Sequence, residues 1–218
     1  MPEEEAYHVL KVLRGRAGDA LEVVDSHQHL FVAELREGSE AAILEALEAP
    51  EEEVEVFLYQ AIPKGGRMDL VVEKSTEVGV TKIVPLVTQR GIVEPRSGKV
   101  ERWRRVAKAA ARQSLRMGVP EVLEPVSFAE AARRAGDDGV LLHNAPGLDC
   151  LECMVDSPVG LFVGPEGGWS EEEMRLAREA GLAFAQLGPY RLRSETAGIV
   201  AVARVRATLE NRNVAGRS

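Results

Sequence analysis

The chain has 218 residues, 45% of them hydrophobic, with two cysteines and a formal net charge of -8; this supports a packed core and excludes a disulfide framework. No apolar run reaches the roughly 20 residues of a bilayer span, and the acidic opening MPEEEAYHVL lacks the basic flank of a signal peptide, so the expected setting is a reducing cytoplasm with no membrane partner. The net charge hides an asymmetry. Residues 1–60 hold four Lys/Arg against fifteen Asp/Glu, whereas Arg90, Arg96, Lys99, Arg102, Arg104, Arg105, Lys108, Arg112 and Arg116 face only Glu94 and Glu101.

In chain order, LEVVD, HQHL, FVAELREG and AAILEAL read as short strands and turns, with a hairpin at Gly38-Ser39. AILEAL reads equally well as a helical turn. Pro50 and the acids Glu51 to Glu53 mark a domain edge, giving an N-terminal module over 1–51 and a second domain over 52–218. The second opens with a buried-type strand at 54–62, a helix from near Arg67 to Gly79 and a strand at 81–88. A long helix at 99–116 follows, with Trp103, Val106, Ala110 and Ser114 along one face. Its arginines are either a solvated surface or a local field of the kind a phosphate backbone feels within a Debye length. Strands at 139–143, 159–163 and 183–187 alternate with helices from 171 and at 195–210, and the tail NRNVAGRS reads as frayed. Alternating strands and helices predict an α/β fold with a mostly parallel sheet covered on both faces.

Ligands of such sheets collect beyond the carboxyl ends of the strands. Three loops rich in Gly and Pro fall there: HNAPG (143–147), GPEGG (164–168) and LGPYRLRSETA (187–197). One such loop is an ordinary turn; three together point to a shared pocket contacted through backbone. Ser170 and Glu173 form an S-x-x-E capping box, and Glu171 and Glu172 suit a helix N-terminus, so these acids read as structural. Neither a P-loop nor a G-x-G-x-x-G fingerprint is present, which disfavours a dinucleotide oxidoreductase. Arg191, Arg193 and Glu195 precede a helix capped by Ser194 or Thr196 and suit an anionic partner. Cys150 and Cys153 lack a second ligand pair, and His27 and His29 make at most half a metal site, so no metal is expected.

The segments KGGRMDLVVEKSTEVGVTKIVPLVT, AARQSLRMGVPEV, GPEGGWSEEE and LGPYRLRSETA, taken in order from about Val54 to Leu209, resemble the RsmE family, the bacterial 16S ribosomal RNA (uracil-1498-N3)-methyltransferases of the SPOUT class. HVLKVLRGRAGDALEVVD is similar to that family's small PUA-like β-barrel. The resemblance implies a C-terminal trefoil knot, a homodimer, and S-adenosylmethionine (SAM) as methyl donor for N3 of a uridine in 16S rRNA of the 30S subunit. It implies a donor pocket lined by Leu142, His143 and Asn144, by Gly164, Glu166 and Gly167, and by Leu187, Gly188, Leu192 and Ala197. The chain departs from the family in two places. It opens almost at His8, without the arginine-bearing strand that precedes H-x-x-x-V-L-R, and it carries Asp25-Ser26 where Asp-Gly is usual. The expectation is a truncated barrel with fewer RNA contacts.

Uracil N3 lies on the Watson–Crick edge, so the target must be unpaired or flipped out. Beside the implied donor site, Arg193 is the expected electrostatic stabiliser, with Arg191 and Glu195 in support; Lys64, Lys74, Gln113, Arg116 and Arg191 are expected RNA contacts. Rival readings are a SPOUT methyltransferase for another RNA such as tRNA and a non-catalytic RNA-binding protein.

Overall fold

The computed structural model describes residues 6–12, 14–25, 29–37, 40–47, 54–91 and 97–216. The chain divides into two compact units, Met1–Glu51 with Leu115–Gly118, and Glu52–Ser114 with Val119–Ser218.

In the first unit a π-helical turn at His8–Val12 precedes an antiparallel sheet of β1 (Ala20–Val24), β2 (Leu30–Leu35) and β3 (Ala41–Leu47). AAILEAL is therefore a strand and not a helical turn. Its register against β2 shifts between Val32 and Ala33, a bulge of the kind that bends a strand. Leu35 and Ala33 are fully buried. The His29 backbone N–H donates to Asp25 Oδ1 at 2.8 Å; His27 lies outside the described residues.

The second unit is built on an eight-stranded sheet: β4 (Val56–Ala61), β5 (Lys82–Val87), β6 (Glu121–Val122), β7 (Val126–Ser127), β8 (Gly139–Leu142), β9 (Asp149–Cys150), β10 (Val159–Val163) and β11 (Ala183–Gln186). The order is β6-β5-β4-β10-β8-β11-β9, β7 also pairs with β5, and every pairing is parallel. Side chains alternate across a strand, and that period places two cores on the two faces. Val56, Leu58, Leu161 and Val140 pack on one face with α1 (Met68–Glu77), α2 (Lys99–Gln113) and α5 (Ser194–Gly216). Tyr59, Phe162, Leu141 and Val84 pack on the other with α3 (Phe128–Ala135) and α4 (Glu171–Glu179). Central strands buried on both faces explain the continuous apolar runs of the sequence.

Several boundaries move from the sequence reading. The helix expected over 99–116 ends at Gln113: the Ser114 hydroxyl donates back to the Ala110 carbonyl at 2.8 Å, and Leu115 has φ 54°. The last helix runs on to Gly216, so NRNVAG is helical and not frayed. Arg212 anchors it by donating to the carbonyls of Val155 at 2.6 Å and Glu152 at 3.0 Å. α3 has no counterpart in the sequence reading, although Ser127 caps it through Glu130 N–H at 3.3 Å, the same S-x-x-E signal that marks α4.

Candidate active site

β4 leads to β5 and β6 on one side of the sheet, and the later strands lie on the other, so the order switches between β4 and β10. Ligand sites of parallel sheets form at such switch points, beyond the carboxyl ends. Here the ends of β4 and β10 present Pro63–Gly66 and Gly164–Gly168.

A buried polar relay joins these ends to α5. The Gln60 amide donates to Ser194 Oγ at 2.9 Å, and the Ser194 hydroxyl donates to the Gly164 carbonyl at 2.6 Å. Gln60 is fully buried and Ser194 nearly so. Ser194 was an expected helix cap; its hydroxyl serves instead as the tie between three elements, and the Arg193 carbonyl accepts the first helical N–H, from Ala197, at 2.8 Å. Gly198 permits the close packing, since a Cβ there would meet Gln60 Oε1 at 2.3 Å.

The loop after β10 is fixed from two sides. The indole N–H of buried Trp169 donates to the Leu142 carbonyl at 3.0 Å, linking GPEGGW to the end of β8. Arg90 donates to the carbonyls of Gly167 at 3.2 Å and Trp169 at 3.0 Å. Beneath the loop the capping box forms as expected, with Ser170 N–H donating to Glu173 Oε2 and Glu173 N–H to Ser170 Oγ. Glu173 also accepts Gln89 N–H at 2.9 Å, tying the loop after β5 to α4.

Glu166 Oε1 accepts the Lys64 backbone N–H at 3.2 Å and stands 3.7 Å from Arg67 Nη1. The same Arg67 nitrogen lies 3.5 Å from Glu195 Oε1. One guanidinium therefore faces two of the expected site carboxylates. Glu195 is 6% exposed, and its Oε2 is buried without a hydrogen-bond partner among the described residues.

Apolar side chains come from the end of β8 and from the segment after β11. Leu142 belongs to the core cluster on the α5 side, and Leu187 and Ala197 pack against it. Gly188 has φ 116° and Gly168 φ 70°, conformations that leave backbone open to a ligand. His143 donates its backbone N–H to the Ala185 carbonyl at 3.0 Å, and Arg204 donates to the Leu187 carbonyl at 2.9 Å. Asn144, Leu192, Arg191, Arg193 and Tyr190 are exposed.

Other expected residues belong to other elements. Lys74 lies within α1, its ammonium 2.8 Å from both Glu73 and Glu77; those hydrogen bonds hold its pKa above the ordinary lysine value, Glu73 contributing most. Gln113 ends α2, and Arg116 falls in the first unit. The Cys150 and Cys153 sulfurs are 2.9 Å apart on an exposed turn, and the hydrogen bond from Cys150 is the main cause that raises the Cys153 thiol pKa. Among the described residues no group of three or more His, Cys, Asp or Glu is placed to hold a metal ion, and no helix is long and apolar enough to cross a membrane.

Sequence reasoning missed Gln60, Arg67, Arg90 and Trp169. Gln60 alone carries a signal, as an amide inside the otherwise apolar strand VFLYQA.

Residues 50–206 match the model of the RNA methyltransferase domain. The chain is 33% identical to the ribosomal RNA small subunit methyltransferase E of Synechocystis, over 95% of this chain and 72% of that protein. The chain belongs to the ribosomal RNA small subunit methyltransferase E family. The Bacillus subtilis member is 30% identical over 93% of this chain and 87% of its own length. Among solved structures, the family member from Neisseria gonorrhoeae, crystallised bound to S-adenosyl methionine, superposes with a TM-score of 0.81 at 31% identity, covering 96% of this chain and 91% of that one. The fold of the second unit is accordingly that of an α/β methyltransferase of this family.

Proposed function

We propose that this chain transfers the methyl group of SAM to N3 of a uridine in 16S rRNA of the small ribosomal subunit, acting in the cytoplasm. The observation that carries the reading is the joining of three strand-end loops beside the switch point, by the Gln60–Ser194–Gly164 relay and the Trp169–Leu142 bond, in a chain of this family.

The residues fit SAM on their own chemistry. Leu142, Leu187, Leu192 and Ala197 supply apolar surface for an adenosine, backbone of His143, Asn144, Gly164, Gly167 and Gly188 supplies hydrogen bonding, and Glu166 supplies an acceptor. SAM brings an electrophilic methyl on a positively charged sulfur, so the protein's task is orientation and management of the N3 proton. In this reading Arg193 stabilises the imide charge that develops on the uracil, with Arg191 alongside and Lys64, Lys74, Gln113 and Arg116 toward the RNA. The unit over 1–51 serves as a PUA-like RNA-binding module, and 52–218 as a SPOUT domain acting as a homodimer.

A knotted C-terminus is supported by the strand order. β11 is separated from β10 by β8, yet Ser194, just after β11, bonds the Gly164 carbonyl on the far side of β8.

The test is transfer of tritiated methyl from SAM to 30S subunits lacking the modification, with mapping of the labelled base. One N3-methyluridine in 16S rRNA is the expected product; label in transfer RNA alone moves the assignment to another substrate. Arg193→Ala is expected to lower turnover about 100-fold or more, and wild-type turnover in that variant removes its role.

A further inference from the structure

The carboxylate at the head of α5 has an oxygen that the protein itself does not use. Glu195 is buried, its Oε1 faces Arg67 at 3.5 Å, and its Oε2 finds no hydrogen-bond partner among the described residues. A buried acceptor left unpaired in a native fold calls for a missing donor. Asp69 also has an unpaired buried oxygen, but its carboxylate is engaged by Arg102 at 2.5 Å and lies on α1, outside the three loops. Gln60 Oε1 is unpaired too, but an amide is no base at neutral pH.

The charges around Glu195 suit a base. Arg67 stands between Glu195 and Glu166, so the three groups together carry one excess negative charge and Arg67 does not neutralise Glu195 alone. The donor that the chemistry must bring here is the N3–H of an imide, which has to lose its proton as the methyl arrives.

We propose that Glu195 is the catalytic base for the target uridine and that Arg67 is the positioning residue that holds Oε1 and leaves Oε2 free. The proposal rests on the methyltransferase reading above. As the N3–H bond breaks, the proton passes to Oε2 of Glu195. The electron pair freed on N3 forms the bond to the methyl carbon, and the pair of the breaking C–S bond stays on sulfur. Glu195 then releases the proton to solvent, which balances the loss of positive charge from the donor.

The experiment compares the wild type with Glu195→Gln, Glu195→Asp, Arg67→Lys and Arg67→Met, using small-subunit RNA with uridine or with 5-fluorouridine, whose N3–H is more acidic. Glu195→Gln is expected to keep its melting temperature and to bind SAM by calorimetry and RNA by anisotropy within about twofold, while transfer falls about 100-fold or more. On 5-fluorouridine RNA that loss shrinks at least about tenfold, as Brønsted behaviour requires when less help from a base is needed. Glu195→Asp, which keeps the carboxylate, retains partial transfer, and Arg67→Lys retains more than Arg67→Met. Transfer by Glu195→Gln near the wild-type rate overturns the proposal, as does a loss of equal size on both RNAs or a loss matched by weakened SAM binding. If the wild type itself methylates no RNA, the underlying reading fails and this assignment falls with it.

Discussion

Arg90 belongs by sequence to the basic run of residues 90–116, yet its guanidinium serves two carbonyls of the loop after β10. Charge counting cannot reveal this, because carbonyl partners 77 and 79 residues away leave no mark in the sequence. Arg90→Ala is therefore expected to loosen the loop after β10, the proposed donor site. With the side chain partly exposed the loss is about 1 kcal/mol, a roughly fivefold rise in the Kd for SAM, measured by calorimetry. Trp169 acts from the other side of the same loop and is buried. Trp169→Phe keeps an aromatic ring but strands the Leu142 carbonyl, at an expected cost of about 1–3 kcal/mol in denaturant unfolding. The Gly- and Pro-rich loops themselves were visible in composition, whereas Leu142, Gly164 and Leu187 as donor contacts follow only from the family resemblance. Where a site residue contacts distant protein, as Arg67 does, nothing local announced it.

At the level of elements, α4 was legible down to its cap, because the Ser170–Glu173 signal is local and lies within four residues. Its further role was not legible. Buried Glu173 holds both Ser170 N–H and Gln89 N–H, so it secures the loop after β5 as well as its own helix. Glu173→Ala leaves two donors without an acceptor and is expected to cost about 2–4 kcal/mol, read as a shift in the urea midpoint. Glu172→Ala removes an exposed pair with Arg175 and is expected to cost under about 1 kcal/mol. The end of α2 was misplaced for a similar reason: the helical pattern continues through Arg116, but the Ser114 hydroxyl closes the last turn and Leu115 leaves it. α5 shows the opposite error, since its final turns are held by tertiary bonds from Arg212 that the polar sequence NRNVAG does not advertise.

For the whole molecule, the acidic net charge and the basic run describe different things. Arg102 is paired with Asp69, and Arg104 with Glu101 and Glu124, so part of the run is already neutralised within the second unit. RNA affinity should therefore depend on salt less steeply than nine cations suggest. Lys108→Ala is expected to reduce the slope of log affinity against log salt by about one, and Arg104→Ala to leave it nearly unchanged, both measured by anisotropy titration. The all-parallel sheet has a further consequence through the order in which its parts are made. The relay needs Gln60, Gly164 and Ser194, and the last of these is synthesised after every strand of the sheet. Contacts so distant in sequence close late in folding. A nascent chain can thus assemble most of its core while the proposed donor site still lacks Ser194, and on that proposal SAM binding reports that the last helix has docked.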